Sequence, residues 1–231
     1  MRTILLERHS LPVGAAYIAE ADELARRVSA GLAPETLRLY RTLPVASFGP
    51  RDQVASGYRA ARAAAEAQHF AVMERRAGGR PIAFHEGTLV IDWAIPDADP
   101  RARMEERFGE AAGIVCAALR QLGVPASVGE IPGEYCAGHF SVSADGARKL
   151  AGLAQRLYER ASHVGAMVVV EGETRVREVL TPIYRALDLD WDPATAGSVG
   201  AEARSVSWDD VEQAVVAVFA ERFRLVGVNG G

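Results

Sequence analysis

Within residues 69–95 three short apolar runs follow one another: HFAVMER (69–75), RPIAFH (80–85) and TLVIDWAI (88–95). Gly78-Gly79 separates the first pair and Glu86-Gly87 the second. Runs of this length, rich in branched and aromatic residues and bounded by turn residues, read as consecutive strands. TLRLYRT (36–42) alternates apolar and polar residues and adds another, and GAMVVVEG (165–172) reads as a buried one. A chain with this many short strands must build a sheet and then cover it.

The covering helices show as apolar residues at helical spacing. Residues 14–30 carry Ala15, Ile18, Leu24 and Val28 near one face, with Gly31 and Pro34 as the stop. Further helices are expected over 52–67, 101–122, 174–187 (interrupted at Pro182) and 208–223. Strands and helices interspersed without a regular βαβ rhythm indicate an α+β fold, a mixed sheet with helices packed against it. Among 231 residues there is no internal repeat and no linker, so one domain over 1–231 is expected; DPATAGSVGAEARSVS (192–207) reads as its mobile loop.

Charge narrows the partners. With 26 Lys+Arg against 30 Asp+Glu, the net charge of −4 provides no basic field for nucleic acid or an anionic membrane. No apolar run approaches a membrane span and MRTILLERHSLP is unlike a signal peptide, so a cytoplasmic protein is expected. Neither of the two cysteines lies in a CxxC pair, and the five histidines (9, 69, 85, 139, 163) show no metal-ligand spacing, so no metal centre is expected. Cys116, within an apolar helical pattern, reads as a core residue.

Two stretches carry candidate chemistry. In ERRAGGRPIAFHEGTL (74–89), Arg75, Arg76 and Arg80 surround a turn whose glycines, Gly78 and Gly79, admit a ligand close to the backbone; the same residues also suit an ordinary hairpin with solvated arginines. In EYCAGHFSVSADGARKLAGLAQR (134–156), Cys136 lies in a turn between Gly133 and Gly138, accessible as a nucleophilic thiol must be. If Ala144-Asp145-Gly146 turns a hairpin, Lys149 returns toward Cys136, where its charge would lower the thiol pKa. Small residues after Lys149 leave room for a narrow apolar ligand, and Gln155 is an amide able to orient it. His85 and His139 fall inside these stretches as candidate proton acceptors.

GGR…HEG (78–87) and ADGARKLAGLAQR (144–156) together resemble the lipoate–protein ligase A superfamily, which shares its catalytic domain with biotin protein ligases; the resemblance runs from about residue 36 to the end. It implies a largely antiparallel sheet, an acyl tunnel lined by Gly78 and Gly79, and a lysine, Lys149, on the acyl carbonyl. EYCAGHFSV further resembles the turn that supplies the nucleophile of the octanoyl amidotransferases, which assigns Cys136 that role. On this resemblance Cys136 and Lys149 are the catalytic residues, while Arg75, Gly78, Gly79, Arg80, His85, Leu150, Gly152 and Gln155 bind the substrate. Octanoate or lipoate is the carried group. The implied partners are lipoyl-domain proteins, the glycine cleavage H protein and 2-oxoacid dehydrogenase E2, with acyl carrier protein as a possible donor.

The ligase turn of this family, arg-arg-x-ser-gly-gly-gly, is replaced at three positions by Glu74, Ala77 and Arg80, and its his-asp pair by Phe84-His85. The residues after about 190 are also too few for the accessory domain of larger ligases. These departures favour cofactor-free transfer through Cys136. The alternatives are an ATP- and magnesium-dependent lipoate–protein ligase, or a non-catalytic acyl-binding partner subunit.

Overall fold

The structure, a computed structural model, describes residues 1–229. In chain order it comprises β1 (Thr3–Val13), α1 (Ala15–Ser29), β2 (Thr36–Thr42), β3 (Val45–Phe48), the single turn α2 (Pro50–Gln53), α3 (Tyr58–Glu66), β4 (Ala71–Glu74), β5 (Ile82–Phe84) and β6 (Thr88–Pro96). The second half adds α4 (Met104–Gln121), β7 (Ala126–Val128), β8 (Val142–Ala144), β9 (Arg148–Leu157), β10 (Ala161–Val169), α5 (Glu173–Ala186), α6 (Val199–Glu202), α7 (Trp208–Arg222) and β11 (Arg224–Asn229). Eight strands form one sheet in the order β11-β1-β2-β6-β10-β9-β8-β7, and β4-β3-β5 form a smaller one. β1 runs parallel to both β11 and β2, and β3 parallel to β4; the remaining pairings are antiparallel. Among the described residues, no helix is long and apolar enough to cross a membrane.

The period-2 alternation of β6 explains why TLVIDWAI is apolar almost throughout. Leu89, Ile91, Trp93 and Ile95 point into the core shared with α4 and α7, while Val90 points into a second core under α5 and the small sheet. Trp93 anchors the first core edge-on against Phe219 and Phe223.

The structure corrects several expectations. The three runs of residues 69–95 are strands but not sheet neighbours in series: β4 and β5 flank the unanticipated β3, and only β6 enters the large sheet. β11 and β1 at one end of the large sheet, and β7 at its other edge, were also unanticipated. The expected helix over 52–67 begins earlier and breaks between Gln53 and Tyr58. Pro182 does not interrupt α5; the Glu178 carbonyl, which a proline four residues later leaves without its helical donor, accepts from Gln68 Nε2 at 3.0 Å instead. Segment 192–207 is held in place: the Gly197 amide donates to the Lys149 carbonyl at 3.0 Å, and Thr195, Ala196, Ser198 and Val199 are buried. A Cβ on Gly197 would stand 2.9 Å from that of Arg148, so the small residues there serve close packing against β9.

Candidate functional site

The hairpin forms as expected, with β8 and β9 joined through Asp145 (φ 50°) and Gly146 (φ 69°). A bulge makes Leu150 the extra residue of β9, since Ser143 pairs with Lys149 and Val142 with Ala151. Lys149 turns to one face and Leu150 is buried in the core on the other, with α4 and α7. Leu150 therefore does not line the ligand side, which corrects its expected role.

Lys149 is 1% exposed and meets three acceptors: Glu134 Oε2 at 2.6 Å, the Tyr135 carbonyl at 2.9 Å and the Cys136 carbonyl at 3.0 Å. An ammonium has three protons, so each is engaged. The Glu134 carboxylate, also buried, accepts in addition from Ser141 Oγ at 2.7 Å and from the amides of Ile131 (3.2 Å) and Gly138 (3.3 Å). Residues 131–141 are thus wrapped around one ion pair, and the wrapping holds Cys136 at φ 45°, a left-handed conformation that costs a side-chain-bearing residue energy.

The other support of the cysteine comes from the glycine turn. Tyr184 Oη accepts from the Cys136 amide (2.8 Å) and donates to the Pro81 carbonyl (3.1 Å), joining the two loops. Cys136 Sγ accepts the backbone N–H of Arg80 at 3.2 Å. Gly79 has φ 97°, and a Cβ on it would lie 2.7 Å from Sγ and 3.1 Å from Arg75 Nη2, so the missing side chain is the space that thiol and guanidinium share. Arg75 braces the turn by donating to the carbonyls of Ser47 and Arg80, both at 2.6 Å. Arg80 turns its own guanidinium away, to Asp52 at 3.1 Å.

Lys149 and Cys136 therefore meet, but through the cysteine carbonyl. Because Glu134 neutralises Lys149 at 2.6 Å, the cation next to the sulfur is Arg75, and the nearest donor is a backbone amide. Half-buried Cys136, Lys149, Gly78, Gly79, Arg75 and Gly152 all line one cavity of about 640 Å³. Gln155 lines it too, though its amide is occupied by Arg107 and the Met104 carbonyl. His85 does not line it. Buried beneath Gly172, it accepts from the Gly87 amide at 3.1 Å, and burial, with the charge of Arg175, pushes its pKa down to about 4, so it stays neutral. His139 is exposed at the cavity mouth, paired with Glu130 at 2.8 Å. Cys116 is buried, as expected.

Three further features were not anticipated: Glu134, Tyr184, and a second polar cluster along the same cavity. There Asp92 Oδ2 accepts from Arg38 Nη2 (2.9 Å) and Tyr40 Oη (2.7 Å), and Asp92 Oδ1 meets His163 Nε2 at 2.8 Å. Burial would raise the carboxyl pKa, but His163 and Arg38 outweigh it and hold Asp92 ionised, well below the usual range. Asp-Trp and a lone histidine 71 positions apart carry no sequence signal; only the β6–β10 register joins them.

The Lipoyl protein ligase A/B catalytic domain model matches residues 15–220. The chain is 25% identical over 162 residues to a lipoyl-[GcvH]:protein N-lipoyltransferase of Listeria monocytogenes, covering 70% of this chain and 58% of that protein. It is 32% identical over 138 residues to an octanoyl-[GcvH]:protein N-octanoyltransferase of Kyrpidia tusciae, covering 60% and 47%. It thus spans about half the length of these curated relatives. Among solved structures, lipoate-protein ligase A bound with ATP superposes with a TM-score of 0.72 at 18% identity, covering 100% of this chain and 90% of that one. The bi-partite lipoate protein ligase of Thermoplasma acidophilum gives 0.70 at 19%, covering 99% and 88%. At these identities the likeness is one of fold.

Proposed function

Since the chain belongs to the lipoyl protein ligase A/B catalytic domain family, we propose that it is an acyltransferase of lipoate metabolism that carries an octanoyl or lipoyl group on Cys136. The observation that carries this reading is the placement of the sulfur. It sits at a cavity of acyl size, on a loop held at positive φ, with a backbone N–H 3.2 Å away. The Arg80 amide and the Arg75 guanidinium stand beside the sulfur where it would attack an acyl carbonyl.

The thiolate attacks the acyl carbonyl of a donor, either a thioester or an acylated lipoyl domain. A C–S bond forms, the donor's own C–S or C–N bond breaks, and its leaving group takes up the proton given up by the thiol. The ε-amine of an acceptor lipoyl-domain lysine then attacks the thioester; a C–N bond forms, the C–S bond breaks, and the amine proton returns to sulfur. Lys149 and Glu134 hold the loop so that sulfur, and not the backbone, faces the chain. The names of the curated relatives, which are GcvH-dependent transferases, support lipoyl-domain proteins as donor and acceptor. Two free cysteines suit a reducing, cytoplasmic compartment. The family match over residues 15–220 supports reading that span as one catalytic domain.

The test is the intact mass of the protein after incubation, without ATP, with an octanoyl thioester or octanoylated lipoyl domain. A gain of one octanoyl unit, released by hydroxylamine and absent from Cys136→Ser, is expected. ATP-dependent modification of a lipoyl domain by both proteins, with no adduct, would make the chain a ligase. Inactivity in both assays would leave a binding module.

A further inference from the structure

Acyl transfer through sulfur passes through a charge that the resting protein does not carry. As Cys136 Sγ bonds to the acyl carbon, the carbonyl π pair moves onto oxygen and makes an oxyanion two bonds from the sulfur. When the intermediate collapses, that pair re-forms the C=O bond and expels the donor's leaving group. A hydrogen-bond donor already aimed at this oxygen lowers the barrier.

Most groups near the sulfur cannot supply that donor. Lys149, which the family resemblance puts on the acyl carbonyl, has its three protons engaged by Glu134 Oε2 and the carbonyls of Tyr135 and Cys136. The amide of Cys136 donates to Tyr184 Oη at 2.8 Å. Arg75 directs its N–H groups to Ser47, Gly78 and Arg80, so it contributes charge to the site and no hydrogen bond. The amide of Arg80 differs, because its partner is the sulfur itself, at 3.2 Å. Sulfur is a weak acceptor and an oxyanion a strong one. This N–H therefore gains most of its hydrogen-bond energy only when the oxyanion forms, which is the condition for raising the rate and not merely the affinity.

The Gly79–Arg80 peptide is held from both sides. In a planar trans peptide the C=O and N–H point in opposite directions. Its carbonyl packs against Gly49, where a Cβ would collide with the Gly79 oxygen. Its N–H faces Sγ beside the space that a Cβ on Gly79 would fill, 2.7 Å from the sulfur. Arg75 Nη2 then fixes the next carbonyl, that of Arg80, at 2.6 Å. Gly49 does not line the cavity, and its φ of −81° suits any residue, so glycine serves there as room for this peptide.

Resting on the acyl-transfer reading, we propose that the backbone N–H of Arg80 is the oxyanion donor of the reaction, aimed by Gly49 and Arg75. The side chain of Arg80 takes no part.

Two reactions of Cys136 separate this role from a structural one. Thioester formation with the N-acetylcysteamine thioester of octanoate develops an oxyanion; alkylation by iodoacetamide, a displacement at a saturated carbon, does not. Arg80→Pro removes the N–H, and Arg80→Ala keeps it; both lose the bridge to Asp52, so their difference isolates the amide. Arg80→Pro is expected to form the thioester roughly 100-fold more slowly than Arg80→Ala, with alkylation rates within about threefold of each other. Gly49→Ala, which turns the peptide without touching its N–H, is expected to show the same selective loss in smaller degree, and it decides the matter if Arg80→Pro does not fold. Equal thioester formation in the two Arg80 variants, or parallel loss of acylation and alkylation, would overturn the inference while a wild-type adduct keeps the transfer reading. No adduct in the wild type would end both.

Discussion

Two buried carboxylates mark the two ends of one cavity, and they are held in different ways. Glu134, beneath the sulfur end, is gripped by its own loop through the amides of Ile131 and Gly138, the hydroxyl of Ser141 and the ammonium of Lys149. Asp92, along the floor, is gripped by neighbouring strands through Arg38, Tyr40 and His163. A sheet needs no buried charge to keep its shape, because its ladder already fixes the backbone. An eleven-residue loop with a left-handed cysteine has no ladder, so the ion pair must do that task. Glu134 therefore governs where the sulfur is, and Asp92 ties together strands already held by their ladder.

The strongest way to break this comparison is to remove each carboxylate. Glu134→Ala leaves Lys149 buried without a counter-charge and is expected to lower the unfolding free energy by about 3–5 kcal/mol and to abolish thioester formation. Asp92→Ala is expected to cost a similar amount in denaturant melts, yet to leave the rate of Cys136 alkylation unchanged. Equal loss of thiol reactivity in both variants would show that the two ends are not independent.

The next effect concerns pH. Asp92, held ionised in the folded chain, supplies a stability slope only as pH falls into the ordinary carboxylate range, below about pH 5, where the unfolded carboxyl takes up its proton. His85 supplies one at higher pH: its folded pKa of about 4 lies below the ordinary 6.5, so the unfolded chain binds its proton first as pH falls. Stability from this group is level above pH 6.5 and declines toward pH 4. Urea melts at pH 7 and 4.5 are expected to differ by about 2.5 kcal/mol more in wild type than in His85→Leu.

Smaller still is Gly79→Ala, whose Cβ would enter the space between thiol and guanidinium in a left-handed conformation. Transfer is expected to slow roughly 10- to 100-fold with a modest change in melting temperature; an unchanged rate would remove Arg75 from the account of the thiol. Smallest is Gln68→Ala. It exposes the Glu178 carbonyl over Pro182 and is expected to cost about 1 kcal/mol in a denaturant melt, without touching either end of the cavity.

Legibility in the sequence follows the same division. Cys136, Lys149 and the glycine turn are readable because each depends on local chemistry: a positive-φ turn, a hairpin at Asp145-Gly146, two residues without side chains. Glu134 is unreadable because its role exists only once the loop closes upon it. Asp92 and His163 lie 71 positions apart, and a one-residue slip in β6–β10 would send one of them into the opposite core. Leu150 was assigned to the wrong face because a bulge breaks the alternation that strand reading assumes. Pro182 read as a break because its remedy, Gln68, comes from the distant turn after α3, and 192–207 read as loose because small residues signal close packing and looseness alike.

The parallel pairing of β1 with β11 constrains the order in which the molecule can assemble. Residues 3–8 obtain their outer neighbour only from residues 224–229, the most distant partners in the described chain. On the ribosome, β2 and β6 can gather early, but one edge of β1 stays bare until β11 emerges. For that interval Ile4, Leu5 and Leu6 present an unpaired strand able to recruit a second chain. A truncation before residue 224 would make that transient hazard permanent, and its mark would be aggregation at the ribosome rather than loss of any residue near the sulfur.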